Sequence, residues 1–471
     1  MKLFGHHVGR TFALFVALDG ALFILLLWVL SLGANCAGCS YRPPLSLQFH
    51  QSAALTGVFL LTTMSIGVYN NDAARDFRVF LKRFVLAAQF VILAAVAALA
   101  FYYPSAANGW RMVEAILALA ALLLVLALLR LPLTRGAGLA FLRKRIIVYG
   151  DGEMANAITD FIDGPGQSHF RLVQQIKTWR AQPLATTIGN LTLKQARLQL
   201  QLLPLHAVAE GVKAEEIVVA VEDRRGLPVE ELLECRLRGI GVVDALTFWE
   251  REAGQIDFAH AGPGWLTFSG GFTFSQRRRI AKRLTDIVIS LCFLAFVLPL
   301  CALVALAIRL ESPGPIFYRQ ERVGLNGRVF KVWKFRSMRS DAERDGVPKW
   351  ANSADDRVTR VGRFIRKVRL DEVPQVLNVL VGDMSFIGPR PERPFFVEQL
   401  KQQIPHYDLR HRVRPGITGW AQVNYPYGAS IEDARRKLAY DLYYLKKNDL
   451  VLDLAILVQT VRVILFAQGA R

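Results

Sequence analysis

Five cysteines in 471 residues are too few for a disulfide framework, and none has metal-thiolate spacing. Cys36 and Cys39, in a Cys-Ala-Gly-Cys, admit one local bridge. Cys235, Cys292 and Cys301 read as apolar residues. Acids are also scarce: 39 Asp and Glu stand against 58 Lys and Arg, for a net charge of +19. No nucleic-acid-binding motif accompanies that excess, so it points to anionic lipid or phosphorylated substrates rather than to nucleic acid. The shortage of acids is uneven. Residues 144–279 balance at 16 basic and 16 acidic, whereas residues 280–471 hold 31 and 19.

What the chain has in plenty is apolar surface, at 52% of residues, too much for a wholly soluble protein. Four long apolar runs fill the first third, at about 11–32, 49–69, 81–103 and 111–131. Each approaches the roughly 20 residues that a spanning helix needs. Basic residues gather before the first run, between the second and third, and after the fourth. Positive-inside orientation then places both ends of a four-helix transmembrane bundle, residues 1–143, in the cytoplasm. Such a bundle, with no internal repeat, does not read as a transporter.

Residues 144–262 change character. Apolar Ile146–Tyr149, then Gly150-x-Gly152-x-x-Ala155, reads as strand, tight turn and helix, the opening of a Rossmann-like α/β domain. The third position is Ala155 and no acidic residue closes a second strand convincingly, so nucleotide binding stays open. Residues 263–279, rich in Gly, Phe and Ser, read as a linker.

A fifth apolar run has no charge between Ile287 and Ile308. Its 22 residues would reach roughly 33 Å, enough to cross a bilayer core. Both flanks are basic, however, and Pro299 sits near its middle, where it deletes a helical hydrogen bond. A re-entrant hairpin of helices over about 284–310, broken at Pro299, accounts for both features.

The last domain, 280–471, carries the candidate chemistry. Asp371 and Glu372 are adjacent, with Pro374 and the apolar Val373, Val376, Leu377 and Leu380 following. That pattern puts two carboxylates at or near a helix N-terminus. Arg390 is bracketed by Pro389 and Pro391 on a stiff loop suited to bidentate phosphate recognition. Arg414-Pro415-Gly416-Ile417-Thr418-Gly419-Trp420 joins backbone donors to an aromatic ring. Singly, each has a bland reading as a helix cap, a loop or a turn.

Together, Lys334-Phe335-Arg336-Ser337-Met338, Leu370-Asp371-Glu372-x-Pro374, Gly388-Pro389-Arg390-Pro391 and the Arg414–Asn424 stretch closely resemble the bacterial sugar transferase family, monotopic phosphoglycosyl transferases that begin lipid-linked glycan assembly. The resemblance covers about 277–471, and the upstream helices and α/β domain look like the long form used for exopolysaccharide initiation. Two departures are Val368-Arg369 before the Leu-Asp-Glu and a leucine, not serine, before Pro299. The resemblance implies that Asp371 attacks the β-phosphate of a UDP-sugar, with glucose favoured, and passes the sugar-phosphate to undecaprenyl phosphate. It assigns Glu372 to Mg²⁺ and Arg390, Lys334, Arg336 and Arg369 to substrate phosphate or nucleotide. The expected fold is a membrane protein, α plus α/β, whose mostly helical catalytic domain faces the cytoplasm among membrane lipids. The bundle and α/β domain offer surfaces for a homodimer. A scaffold or nucleotide sensor without catalysis is the alternative.

Overall fold

The computed structural model describes residues 2–3, 6–7, 10–35, 45–69, 73, 76–102, 109–134, 143–164, 170–177, 204–258, 260–272, 275–338, 357–426, 428 and 430–465. Cys36 and Cys39 lie outside them. The chain divides into two compact units, Met1–Ala253 and Gly254–Arg471.

The first unit opens with four helices, α1 (Arg10–Asn35), α2 (Leu45–Ile66), α3 (Phe77–Tyr102) and α4 (Gly109–Thr134). Each packs on the next and the first on the last. Phe23 stacks on Phe59 with centroids 4.3 Å apart in their shared core. Leu93, Leu117 and Leu124 point outward and stay exposed, so these helices are apolar on both faces. Among the described residues, Phe77–Ala97 is long and apolar enough to cross a membrane, and Ala13–Leu25, Ser52–Ile66 and Ile116–Leu129 are shorter apolar stretches.

The α/β part follows the strand, turn and helix read from the sequence. β1 (Lys144–Tyr149), α5 (Glu153–Asp163), β2 (Phe170–Ile176), α6 (Leu205–Gly211), β3 (Glu216–Val219), α7 (Val229–Leu237), β4 (Gly241–Asp244) and α8 (Ala245–Ala253) form a parallel sheet of order β2-β1-β3-β4. β1 is central and its last four residues are buried. Gly150 has φ +145°, and a Cβ there would lie 2.0 Å from the Ala220 carbonyl oxygen, so only glycine serves. At the start of α5, where an anion would sit in a dinucleotide-binding domain, the chain supplies its own. Glu222 Oε1 accepts from the Glu153 backbone N–H at 3.2 Å and would lie 2.7 Å from a Cβ on Gly152.

In the second unit the residues just past the α/β sheet are packed down. The Ile256 N–H bonds the Ala439 carbonyl, the Phe272 N–H bonds the Lys446 carbonyl, and the Lys446 ammonium sits 4.1 Å over the Trp265 ring. A 36-residue helix, here α9 (Gln276–Glu311), comes next, capped at its start by Ser275. It is helical throughout, Pro299 included. The helix break expected at Pro299 is therefore corrected: the residue sits inside one continuous helix, where its missing N–H costs a single hydrogen bond. A hairpin pairs β5 (Phe317–Val323) with β6 (Val329–Phe335). Then come α10 (Arg360–Lys367), a tight turn Leu370–Glu372, α11 (Gln375–Val381), β7 (Ser385–Ile387), α12 (Pro394–Gln403), β8 (Gly416–Thr418) and α13 (Trp420–Asn424). The unit closes with α14 (Ile431–Lys447) and α15 (Leu450–Leu465), whose Leu438, Leu442, Tyr444 and Ile456 fill its largest core.

Candidate active site

Arg369 sets up the turn that carries the carboxylates. It takes the left-handed conformation, φ 61°, which costs an L-residue about 1–2 kcal/mol. The chain then tightens through Leu370–Glu372 and enters α11 behind Pro374, so Asp371 and Glu372 stand just N-terminal of that helix, as the proline spacing predicts. Asn378 ties the same helix to the hairpin: its Oδ1 accepts from Trp333 N–H at 3.0 Å, and its amide donates to the Lys331 carbonyl at 2.8 Å.

The loop bearing Arg390 is fixed by backbone contact. β7 and β8 pair in parallel, Ser385 opposite Gly416 and Ile387 opposite Thr418. Gly388 N–H bonds the Thr418 carbonyl, and Gly416 N–H returns to the Pro389 carbonyl, both at 2.9 Å. A Cβ on Gly388, Gly416 or Gly419 would come within 2.3, 2.1 or 2.1 Å of backbone atoms, so two distant motifs interlock only because these positions are glycine. Beneath the loop, Arg410 donates to the Arg390 carbonyl at 2.9 Å and to the Tyr407 hydroxyl at 2.6 Å, and pairs with Asp441 at 2.8 Å. Burial pushes the Asp441 carboxyl up to about 6 despite the guanidinium beside it.

These elements bring Arg390, Lys334 and Glu372 together. Arg390 grips both oxygens of Glu372, and Lys334 Nζ donates to Oε1 at 3.0 Å. Burial alone would raise the Glu372 carboxyl; Arg390, Lys334 and Arg369 overcome it and hold the group well below the usual carboxylate range. Asp371 is the reverse case. It is half-buried, and among the described residues no hydrogen bond or ion pair engages its carboxylate. Burial, then repulsion from Glu372, raises its pKa, and Lys334, Arg366 and Arg390 only offset part of that.

A cavity of about 390 Å³ opens here. Charged Glu372, Arg369, Arg390 and Arg410 line it together with apolar Phe293, Val297 and Ile464; Asp371 is not among its lining residues. Arg336 stands apart from this group. It is buried and donates to the Pro313 and Ser312 carbonyls, bracing the turn after α9. Trp420 likewise faces inward, stacked on Tyr443, with its Nε1 donating to the Gly254 carbonyl at 2.6 Å. The sequence reading missed Arg410, Asp441 and Lys437 around the cavity, because nothing in their spacing marks them and only the tertiary fold gathers them.

The bacterial sugar transferase family model matches residues 277–467. The exopolysaccharide production protein PSS of Rhizobium leguminosarum bv. phaseoli is 41% identical over 191 residues, 39% of this chain and 94% of that protein. The chain belongs to the bacterial sugar transferase family. Within this family it is similar to the UDP-N-acetylgalactosamine-undecaprenyl-phosphate N-acetylgalactosaminephosphotransferase of Aeromonas hydrophila, 44% identical over 240 residues, 51% of this chain and 56% of that one. It is also 45% identical over 185 residues to the UDP-glucose:undecaprenyl-phosphate glucose-1-phosphate transferase of Escherichia coli strain K12, 39% of this chain and 40% of that one. The chain therefore spans about half the length of these two family members.

Proposed function

We propose that the protein transfers a hexose-1-phosphate from a UDP-hexose to undecaprenyl phosphate, releasing UMP, as the first step of exopolysaccharide assembly. UDP-glucose is the donor to test first, and UDP-N-acetylgalactosamine the second, after the relatives so named. The observation that carries this reading is the unequal treatment of two adjacent carboxylates. Glu372 is spent on Arg390 and Lys334, whereas Asp371 is unengaged, and a nucleophile must be unengaged.

An Asp371 oxygen attacks the β-phosphorus of the donor. The bond from that phosphorus to the bridging oxygen breaks, UMP leaves with the electron pair, and the sugar-phosphate stays on the carboxylate. A phosphate oxygen of undecaprenyl phosphate then attacks the same phosphorus and frees Asp371. Arg390 and Lys334, fixed by Glu372, face the phosphate charge that moves in each step. The donor set fits Mg²⁺ if substrate phosphates supply most ligands, since no group of three or more His, Cys, Asp or Glu stands together among the described residues. Glu372 would hold the ion on the Oε2 lone pair that Arg390 and Lys334 leave open, and the ion would offset the diphosphate charge.

The membrane reading rests on α9. Its N-terminal part bonds α11 and β7, and at its far end Glu311 accepts from the Arg360 and Val361 N–H groups of α10 while Ile308 packs on Phe335 and Ile365. Between these anchors, Leu291, Phe296, Leu298 and Leu303 are exposed. Straight, the 36 residues would reach about 54 Å. A helix held by one unit at both ends and greasy between them suits re-entry from one face, with Pro299 at the depth of the dip. With α1–α4 as spans, the enzyme sits in the bacterial inner membrane, its site at the cytoplasmic face, where a soluble nucleotide sugar meets a lipid phosphate.

The test is UMP release by purified protein from a panel of UDP-sugars, with and without undecaprenyl phosphate. Release that needs the lipid for turnover and disappears in Asp371→Asn is expected. No release with any sugar, from folded protein, would leave the scaffold reading standing.

A further inference from the structure

The N-terminal part of α9 does more than enter the membrane face. Arg283 donates through Nη1 to the Val379 carbonyl and through Nη2 to the Leu380 carbonyl at 2.6 Å. Those are terminal carbonyls of α11, the helix that begins behind Asp371 and Glu372, and the guanidinium satisfies groups a short helix leaves open. Three residues on, and so on the same helical face, Asp286 Oδ1 accepts from Ser385 Oγ at 2.9 Å and from Phe386 N–H at 3.0 Å. Those residues form β7, which runs straight into Gly388-Pro389-Arg390.

Asp286 is 2% exposed, and its Oδ2 has no hydrogen-bond partner among the described residues. A buried carboxylate served on one oxygen is a costly way to hold two elements together if packing alone were needed. Its return is register. The piece carrying the nucleophile and the piece carrying the phosphate-binding arginine are both referenced to one helical turn.

We propose that Arg283 and Asp286 are positioning residues that set the placement of Asp371 relative to Arg390, so that the helix entering the membrane also aligns the transfer. The proposal rests on the transferase reading. Loss of either anchor frees α11 and β7 to shift separately, and a shift near 1 Å costs a transfer on the order of a hundredfold.

The experiment uses the full-length protein in detergent, with UMP release from UDP-glucose and UDP-N-acetylgalactosamine in the presence of undecaprenyl phosphate and Mg²⁺. In Asp286→Ala and Arg283→Gln, kcat falls about ten- to a hundredfold while KM for the donor stays within about threefold. Ser385→Ala, which removes one hydroxyl, lowers kcat about three- to tenfold by the same loss of alignment. In Asp286→Asn the amide oxygen accepts the same two bonds, and kcat returns to within about threefold of the native value. Melting midpoints stay within about 5 °C throughout, and Ser385→Ala decides the matter if Asp286→Ala does not fold. The proposal is overturned by an unchanged kcat in Ser385→Ala and Arg283→Gln. Asp286→Asn as poor as Asp286→Ala, or activity lost only in step with folded protein, overturns it equally. Native protein that releases no UMP refutes the transferase reading instead, and this inference falls with it.

Discussion

Removing one charge from Glu372 and one from Asp371 should move stability in opposite directions. In Glu372→Gln the side chain keeps its shape, but Arg390 and Lys334 lose the anion they share. Breaking a buried ion pair by removing one partner costs about 3–5 kcal/mol. The side chains of Lys334 and Arg390 remain 18% and 27% exposed, so water screens them in part and the cost falls to about 2–3 kcal/mol. For a unit of this size that lowers Tm by about 5–10 °C. Asp371→Asn removes a carboxylate that burial and Glu372 both penalise, and no partner is lost, so its Tm should rise by about 1–4 °C. Thermal unfolding of both variants beside the native protein in one detergent reads the sign directly. Equal shifts of the same sign, or a Glu372→Gln protein as stable as the native one, would refute the unequal roles assigned to the pair.

The same asymmetry fixes a pH order. Asp371 is raised and, as the proposed nucleophile, must be ionised to attack, so the acid limb of UMP release should lie above the ordinary aspartate value of 3.8. Glu372 is depressed, so its contribution to stability is present above its unfolded value and is lost only as pH falls through the lower folded one. Activity should therefore fail before the fold does, which initial rates and Tm measured across one pH series would check. Chelation with EDTA should abolish UMP release, and Mg²⁺ should restore it, with Tm unchanged. Gly416→Ala should prevent accumulation of folded protein, because its Cβ would lie 2.1 Å from the Gly388 nitrogen, and expression with size-exclusion analysis reads this. Millimolar NAD should leave Tm unshifted, since Glu222 already takes the N-terminus of α5.

The strand–turn–helix at 144–163 was legible because each residue type there has one structural use: buried β-branched residues, a glycine at φ +145°, then an amphipathic helix. The position of Asp371 just before α11 was legible for the same reason, from the proline that follows it. Arg336 was harder. It shares a motif with Lys334, and strand alternation would send both to one face, but β6 ends at Phe335 and Arg336 lies past it. Lys334 reaches Glu372, and Arg336 reaches the Ser312–Pro313 carbonyls. Glu222 could not be read as an anion stand-in, because it lies 69 residues from the N–H it caps. Arg283 read only as part of a basic flank and Asp286 drew no reading, because their targets lie nearly a hundred residues on.

Why the site should use two carboxylates in a row follows from its surroundings. A lone aspartate among Lys334, Arg366, Arg369 and Arg390 would be captured by the nearest guanidinium, its basicity lowered and its oxygens occupied. Glu372 prevents this by saturating Arg390 and Lys334 first. Its own negative charge then raises the Asp371 carboxyl, and a more basic carboxylate is the better nucleophile toward phosphorus. In the proposed transfer the cations are not lost: held by Glu372, they stay beside Asp371 to meet the phosphate charge. In Glu372→Gln, Arg390 loses its carboxylate partner and can turn toward Asp371. That variant should then lose kcat more than an ordinary loss of stability explains, and its acid limb should shift down in pH, not up.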